Sequence, residues 1–250
     1  MIHLKGKMKE TQSKKILKAN EVHIWSARLD VTEARLKKWQ LFLSPDEIQR
    51  AYRFHFAKDQ NHFIVARGVL RKILSYYMDK QPYEITFEYN KYGKPFIEHD
   101  RDSVPLRFNL SHSYGMSVYA IAAGRKVGID IEYIRENFSD MEIAERFFSP
   151  DEVAVLKSLP KELQKQAFFL CWTRKEAFIK AKGKGLSIPL DQFDVSLAPE
   201  QSAKLIKTKY DRLDASRWTL IDIGLFPGYA AALAIEGQSV QVRNQYSNEF

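Results

Sequence analysis

The chain has 250 residues, 45% apolar and 28% charged, with a formal net charge of +8, which is ordinary for a folded soluble protein long enough to build one large domain or two small ones. A single cysteine, Cys171, excludes an internal disulfide and a cysteine-rich zinc cluster, and no apolar run approaches the roughly 20 residues that span a bilayer. The positive excess favours an anionic partner without choosing among nucleic acid, anionic membrane, a phosphate-rich small molecule and an acidic protein.

Residues 1–20 carry Lys5, Lys7, Lys9, Lys14, Lys15 and Lys18 with no apolar segment of the secretory kind. They read as a mobile basic tail on a cytoplasmic protein. From Val22, VHIWSARLD has the pattern of a strand, and TEARLKKWQLFL that of a helix. LSPDEI then opens another helix, with Ser44 at the N-cap, Pro45 first and Glu47 third, a capping box. In NHFIVARGVLRKILSYYM, Phe63, Val65, Val69, Leu70 and Leu74 make a broad helical face. Short strands follow in ITFEYN, KPFIE, RFNLSHS, MSVYAIAAG and VGIDIEYI. Helical segments near EIAERFFS and DEVAVLKSL precede a long helix from about Lys161 to Lys182, and short mixed elements close the chain. Helices segregated from antiparallel-looking strands predict an α+β fold.

LSPDEI (43–48) is echoed 105 residues later by FSPDEV (148–153). The same offset aligns Phe63 with Phe168, Ala66 with Cys171, Arg71 with Glu176 and Leu74 with Ile179. A second pair, SYGMSVYAIAAG (113–124) and FPGYAAALAIEG (226–237), has glycines nine apart around an apolar run. The echoes divide the chain into similar halves, 21–125 and 126–250, with the junction near Gly124–Val127. The halves differ in charge at Arg71 and Glu176, which suggests one site at their interface.

As a strand, VGIDIEYI turns Gly128, Asp130 and Glu132 to one face. Two adjacent carboxylates repel unless solvent or a cation relieves them; magnesium suits such a pair, and an exposed face with two solvated acids explains the spacing equally. In CWTRKEAFIKAKGKGL the five cations Arg174, Lys175, Lys180, Lys182 and Lys184 surround one acid, Glu176. On a helix, Trp172, Glu176 and Lys180 share a face with Lys175 beside them, either as an ordinary Glu–Lys surface pair or as cations that face a phosphate. FNLSHSYG ends a strand in Ser111, His112 and Ser113, groups able to hold phosphate oxygens or simply to make a polar turn. Arg50, Arg53, Lys58, Arg67 and Lys94 form a further basic set. No P-loop or Rossmann glycine pattern occurs, and adjacent Ser and His without a nucleophile elbow do not make a hydrolase triad.

GKP (93–95), FNLSHS (108–113), GIDIE (128–132), FFSPDE (147–152) and WTRKEAFIKAKGKGL (172–186) resemble, in order and spacing, the Sfp-type 4′-phosphopantetheinyl transferases. The resemblance runs from about Leu43 to Ile235, with a flavour of the cyanobacterial and secondary-metabolism branch. It implies a pseudo-dimer of two similar α+β halves, each a small antiparallel sheet with a long helix. It also implies transfer of the phosphopantetheine arm of coenzyme A to a serine of an apo acyl or peptidyl carrier protein, with adenosine 3′,5′-bisphosphate leaving. By resemblance, Asp130, Glu132 and Glu176 are ligands of magnesium, or of manganese in its place, and Glu176 is also a candidate base for the carrier serine. Lys175 and Lys180 match lysines near the pyrophosphate. Ser111, His112 and Lys94 match coenzyme A phosphate contacts, and Arg50 falls near the 3′-phosphate position. Where many relatives carry D-R-x-R-F, this chain has Asp59-Gln60-Asn61-His62-Phe63, so Arg67 or Lys58 has to compensate. Cations so close are expected to keep Glu176 ionised. The resemblance implies a monomer without nucleic-acid or membrane partners. A non-catalytic module that binds coenzyme A or a carrier is the alternative, and Phe138 and Met141 are candidate docking residues.

Overall fold

Alternation in EVHIWSAR makes β1 (Glu21–Arg28), whose Trp25 and Ala27 are buried. The computed structural model describes residues 15–100, 103–136, 140–211, 213–224, 226–247 and 250; most of the lysine-rich start and Phe138 lie outside them. After β1 come α1 (Glu33–Gln40), α2 (Pro45–Ala51) and the long α3 (Ala57–Ser75). A two-stranded ribbon, β2 (Glu88–Tyr89) and β3 (Pro95–Phe96), leads to β4 (Leu106–Ser113) and β5 (Met116–Ala123). The second half runs β6 (Val127–Tyr133), α4 (Asp140–Phe147), α5 (Pro150–Ser158), the long α6 (Lys161–Lys182), β7 (Phe193–Val195), β8 (Leu205–Thr208), β9 (Trp218–Asp222), β10 (Tyr229–Glu236) and β11 (Gln241–Asn244).

The echoes mark equivalent elements. Ser44 and Ser149 cap α2 and α5, and each N-cap N–H donates to the glutamate three residues on, Glu47 at 3.1 Å and Glu152 at 2.9 Å. β5 and β10 are the central strands of their sheets. Each lies between two glycines in the left-handed region, φ 82° and 72° for Gly115 and Gly124, 80° and 90° for Gly228 and Gly237; the repeated glycines therefore serve the turns that open and close these strands.

The sheet orders are β11-β1-β5-β4 and β6-β10-β9. One pairing departs from two self-contained antiparallel sheets: β11 joins β1 in parallel, so a strand from the chain's second half completes the first half's sheet. Phe250 follows it onto Trp25 and Trp39. Ile64, Val69, Leu70 and Leu74 of α3 pack on one face of the first sheet, and Phe168, Phe178 and Ala177 of α6 on one face of the second. Between the two sheets lies a third apolar layer with Ile24, Val118, Ala120, Ile129, Ile131 and Leu233. Among the described residues no helix is long and apolar enough to cross a membrane.

Edge strands β4 and β6 meet along the seam between the halves, joined by side chains rather than by a backbone ladder. Asn109 Oδ1 accepts from the Ile129 N–H at 2.8 Å, and Ser113 Oγ accepts from the Tyr133 N–H at 3.2 Å. Buried N–H groups on an edge strand need such partners.

Candidate active site

β6 splits its side chains by parity. Ile129 and Ile131 enter the layer between the sheets, while Gly128, Asp130 and Glu132 turn toward α6. Gly128 lets the helix come close: a Cβ there would stand 2.1 Å from Ala177 O and 2.3 Å from Ala181 N. With helix and strand this near, Trp172, Glu176 and Lys180 line one pocket of about 410 Å³ with Ser111, His112, Asp130 and Glu132. The expected face of α6 and the expected face of β6 are thus brought together at the seam.

The pocket is organised around Asp130, which is 2% exposed. Its Oδ1 accepts from Lys180 Nζ at 2.6 Å and from Ser111 Oγ at 2.8 Å, and Lys180 also reaches Ser111 Oγ at 2.9 Å. Asp130 Oδ2 is buried and has no hydrogen-bond partner among the described residues. Glu132 is held by the Ser113 hydroxyl at 2.8 Å. Burial, and then the Asp130 charge, raise the Glu132 carboxyl above its ordinary range. Burial also pushes Glu176 up to about 7; Asp130 and Glu132 add to the rise and Lys180 opposes it. His112 is exposed at the pocket mouth, yet desolvation by the surrounding protein, with Lys180 and His62 nearby, holds the imidazole below its usual range.

In the metal-free fold this runs against the expectation that the cation run keeps Glu176 ionised, because the neighbouring cations are aimed elsewhere. Arg174 pairs with Asp222 at 2.6 Å and donates to Ser196 O. Lys182 pairs with Asp214 at 2.8 Å. Lys175, expected beside the pyrophosphate, is fully buried on another side of α6. There it pairs with Glu152 at 2.7 Å and donates to Leu190 O and Phe193 O. One residue is about 100° of helix, which separates Lys175 from the cleft face. Lys180 is the cation of this run that enters the pocket.

Lys94 is likewise committed: its ammonium donates to Val127 O at 2.9 Å and Lys180 O at 2.6 Å, tying the ribbon to the second half. Burial, with Arg107, Lys126 and Lys180 around it, lowers it to about 8. Arg67 pairs with Glu47 at 3.1 Å and donates to Tyr89 Oη at 3.2 Å, leaving Nη1 buried with no partner among the described residues. Arg50 is exposed in a separate pocket with Arg53, Phe54 and Tyr89. His62, which stands where an arginine was expected, pairs with Asp30 at 2.9 Å.

Among the described residues no three metal-ligating side chains stand in a ready-made cage. The donor set nonetheless suits a hard cation: three carboxylates in one pocket, one with an orphaned buried oxygen and two raised by burial and by their neighbours' charge. Asn109, which pins the seam, and Ser113, which goes to Glu132 rather than to a phosphate, were not assigned these roles from the sequence. Their period-two spacing with Ser111 along β4 was the signal available.

Two family models cover most of the chain: the 4′-phosphopantetheinyl transferase superfamily model matches residues 126–234, and the 4′-phosphopantetheinyl transferase N-terminal model matches residues 30–125. The chain is 38% identical to the 4′-phosphopantetheinyl transferase HetI of Nostoc sp., over 88% of this chain and 90% of the relative. It is 37% identical to the 4′-phosphopantetheinyl transferase Sfp of Bacillus subtilis, over 64% and 69% of the two chains. With the 4′-phosphopantetheinyl transferase gsp of Aneurinibacillus migulanus the identity is 35%, over 75% and 73%. The chain, with its acidic pocket at the seam of two similar halves, therefore belongs to the 4′-phosphopantetheinyl transferase superfamily and is an enzyme of the Sfp type.

Proposed function

We propose that the donor is coenzyme A, that magnesium assists, and that the acceptor is a serine of an apo acyl or peptidyl carrier protein. The observation that carries this reading is the convergence of Asp130, Glu132, Glu176 and Lys180 in one pocket with Ser111 and His112. The serine oxygen forms a bond to the phosphorus that bears the pantetheine arm. The pyrophosphate P–O bond breaks, and adenosine 3′,5′-bisphosphate leaves. Such a transfer needs neutralised phosphoryl oxygens and an aligned hydroxyl.

Asp130, Glu132 and Glu176 would hold the metal, which supplies charge neutralisation when bound. Lys180 offers a second positive charge, and Ser111 and His112 offer donors to phosphate oxygens. Glu176 also takes the serine proton on its carboxylate. Arg50 and Arg67 lie on the first half's side and supply the nucleotide end. Lys94 serves by holding the ribbon in place, because its ammonium already has two carbonyls. The enzyme acts as a cytoplasmic monomer.

Intact mass of an apo carrier protein after incubation with the enzyme, coenzyme A and magnesium tests this directly. A gain of one phosphopantetheine is expected, lost with EDTA and lost when the carrier serine is alanine. Glu176→Gln is expected to lower the rate by about 100-fold or more with the fold intact; a near-normal rate would remove Glu176 from the chemistry.

A further inference from the structure

Around the edge of β6 from the pocket lies an aromatic surface that the transfer chemistry does not use. Tyr133 follows Glu132 and so faces the opposite side of the strand. Its ring stacks on Tyr114, with centroids 4.4 Å apart and 12° between planes, and meets Tyr229 at 5.2 Å and 65°. Phe226 flanks Tyr229 at 6.2 Å. With Arg28 these rings line an open groove of about 370 Å³.

Tyr114 sits at the tip of the β4–β5 hairpin with φ 44°, followed by Gly115 at φ 82°. Such two-residue turns favour Asn, Asp or Gly at the first position. The Tyr229 hydroxyl donates to Tyr114 O at 2.9 Å and holds this turn in place. Yet Tyr114 is 70% exposed, so core packing does not compensate for the unfavourable backbone. An observed strain retained at an exposed ring leads to a functional reading. The rim is cationic: Lys58 Nζ lies 5.9 Å over the Tyr114 ring, and Arg28 is exposed at the end of β1. The carboxylate in the groove, Asp30, is engaged by His62.

We propose that this surface docks the carrier protein, gripping an acidic helix with an apolar face next to the target serine. The proposal rests on the carrier reading above. Two observations choose this occupant. A solvent-facing Tyr114 stacked on the half-buried Tyr133 and edged by cations complements an apolar helix that carries carboxylates. The groove also begins one residue from the pocket, since Tyr133 follows Glu132.

The test uses the full chain and the apo acyl or peptidyl carrier that the wild type loads, with its target serine changed to alanine and a fluorescent label attached. Anisotropy titrations give Kd for the wild type, for Tyr114→Asn, which suits the left-handed turn, and for Arg28→Glu. Each variant is expected to weaken binding about 10-fold. The KM for the unmodified carrier should rise in step while the KM for coenzyme A stays put. Unchanged Kd and carrier KM in both variants would overturn the docking surface, and so would a change in self-association of the chain with carrier binding intact. If the wild type adds no mass to any carrier, the carrier reading itself falls, and that failure is visible without a variant.

Discussion

Trp25 and Asp130 hold the same place in the two halves. They lie 105 residues apart, the spacing of the capping boxes, and each is paired across to its sheet's central strand, Trp25 to Tyr119 and Asp130 to Ala232. By the same offset Ala27 corresponds to Glu132 and Arg71 to Glu176. The first half fills these places with core residues and an inward ion pair, and the second with three carboxylates around a pocket. The surroundings account for the difference. β1 is an inner strand, flanked by β5 and β11, whereas β6 is an edge strand that meets the other half only through side chains. Chemistry was affordable where the strand had an open side.

The long helices differ in the same sense. Glu47 is answered by Arg71 at 2.7 Å, the residue that corresponds to Glu176. Glu152 is answered by Lys175, which corresponds to Leu70. Moving the buried cation back by one residue releases the next position to the cleft. Lys175 and Glu152 are 0% and 2% exposed, so leaving one without the other strands a buried charge. Lys175→Met alone is expected to lose about 3–5 kcal/mol of stability, and Lys175→Met with Glu152→Gln to recover much of it. Urea unfolding of the four proteins of the cycle measures this. A Lys175→Met protein that unfolds like the wild type but transfers poorly would return Lys175 to the pyrophosphate.

Much of this was legible in the sequence. The capping boxes, the paired glycines and the 3.6-residue periodicity of the long helices are local signals, and they place Trp172, Glu176 and Lys180 on one face and Asp130 with Glu132 on another. What the sequence withheld is partner choice. Lys175, Arg174 and Lys182 look alike in the string, yet each is turned to a carboxylate 23 to 48 residues away. Lys94 matches a phosphate-contact position but bonds two carbonyls, one on each side of the 33- and 86-residue gaps to Val127 and Lys180. The parallel addition of β11 depends on a return to the far edge that no local pattern encodes. The raised Glu176 follows from the same gap: without knowing where the cations point, a run of five reads as a neutralising field.

The next contrast is steric. His23 stands where the second half has Gly128, and only the glycine lets a helix backbone lie against the strand. Gly128→Ala forces backbone apart rather than a side-chain tip, so a loss of about 2–3 kcal/mol is expected. α6 should lift as a unit, moving Glu176 and Lys180 away from Asp130. Transfer should therefore fall further than the lost stability alone explains, as a rate measured well below the midpoint of unfolding would show. Equal activity and stability in the alanine protein would mean the close approach does not set the site.

The smallest effect tests the acids themselves and carries a sign. Glu176 is raised to about 7 from an ordinary 4.5. The metal-free fold then keeps a proton that the unfolded chain has released. The stability this group contributes is complete below about pH 4.5 and declines as pH rises through 7. Glu176→Gln removes the decline. In EDTA the variant should match the wild type near pH 4.5 and exceed it at pH 8 by about 1–2 kcal/mol, a figure reduced for the water that reaches a partly exposed carboxylate. Magnesium should stabilise the wild type more at pH 8 than at pH 6, because a proton and a cation compete for the same oxygen, and should stabilise the variant much less. At the corresponding place in the first half, Arg71 already has its counter-charge in Glu47, so Arg71→Gln should show no gain at pH 8 and should keep the magnesium response of the wild type. If the two substitutions behaved alike, the carboxylate cluster would be an ordinary surface feature and the asymmetry of the halves would have no chemical content.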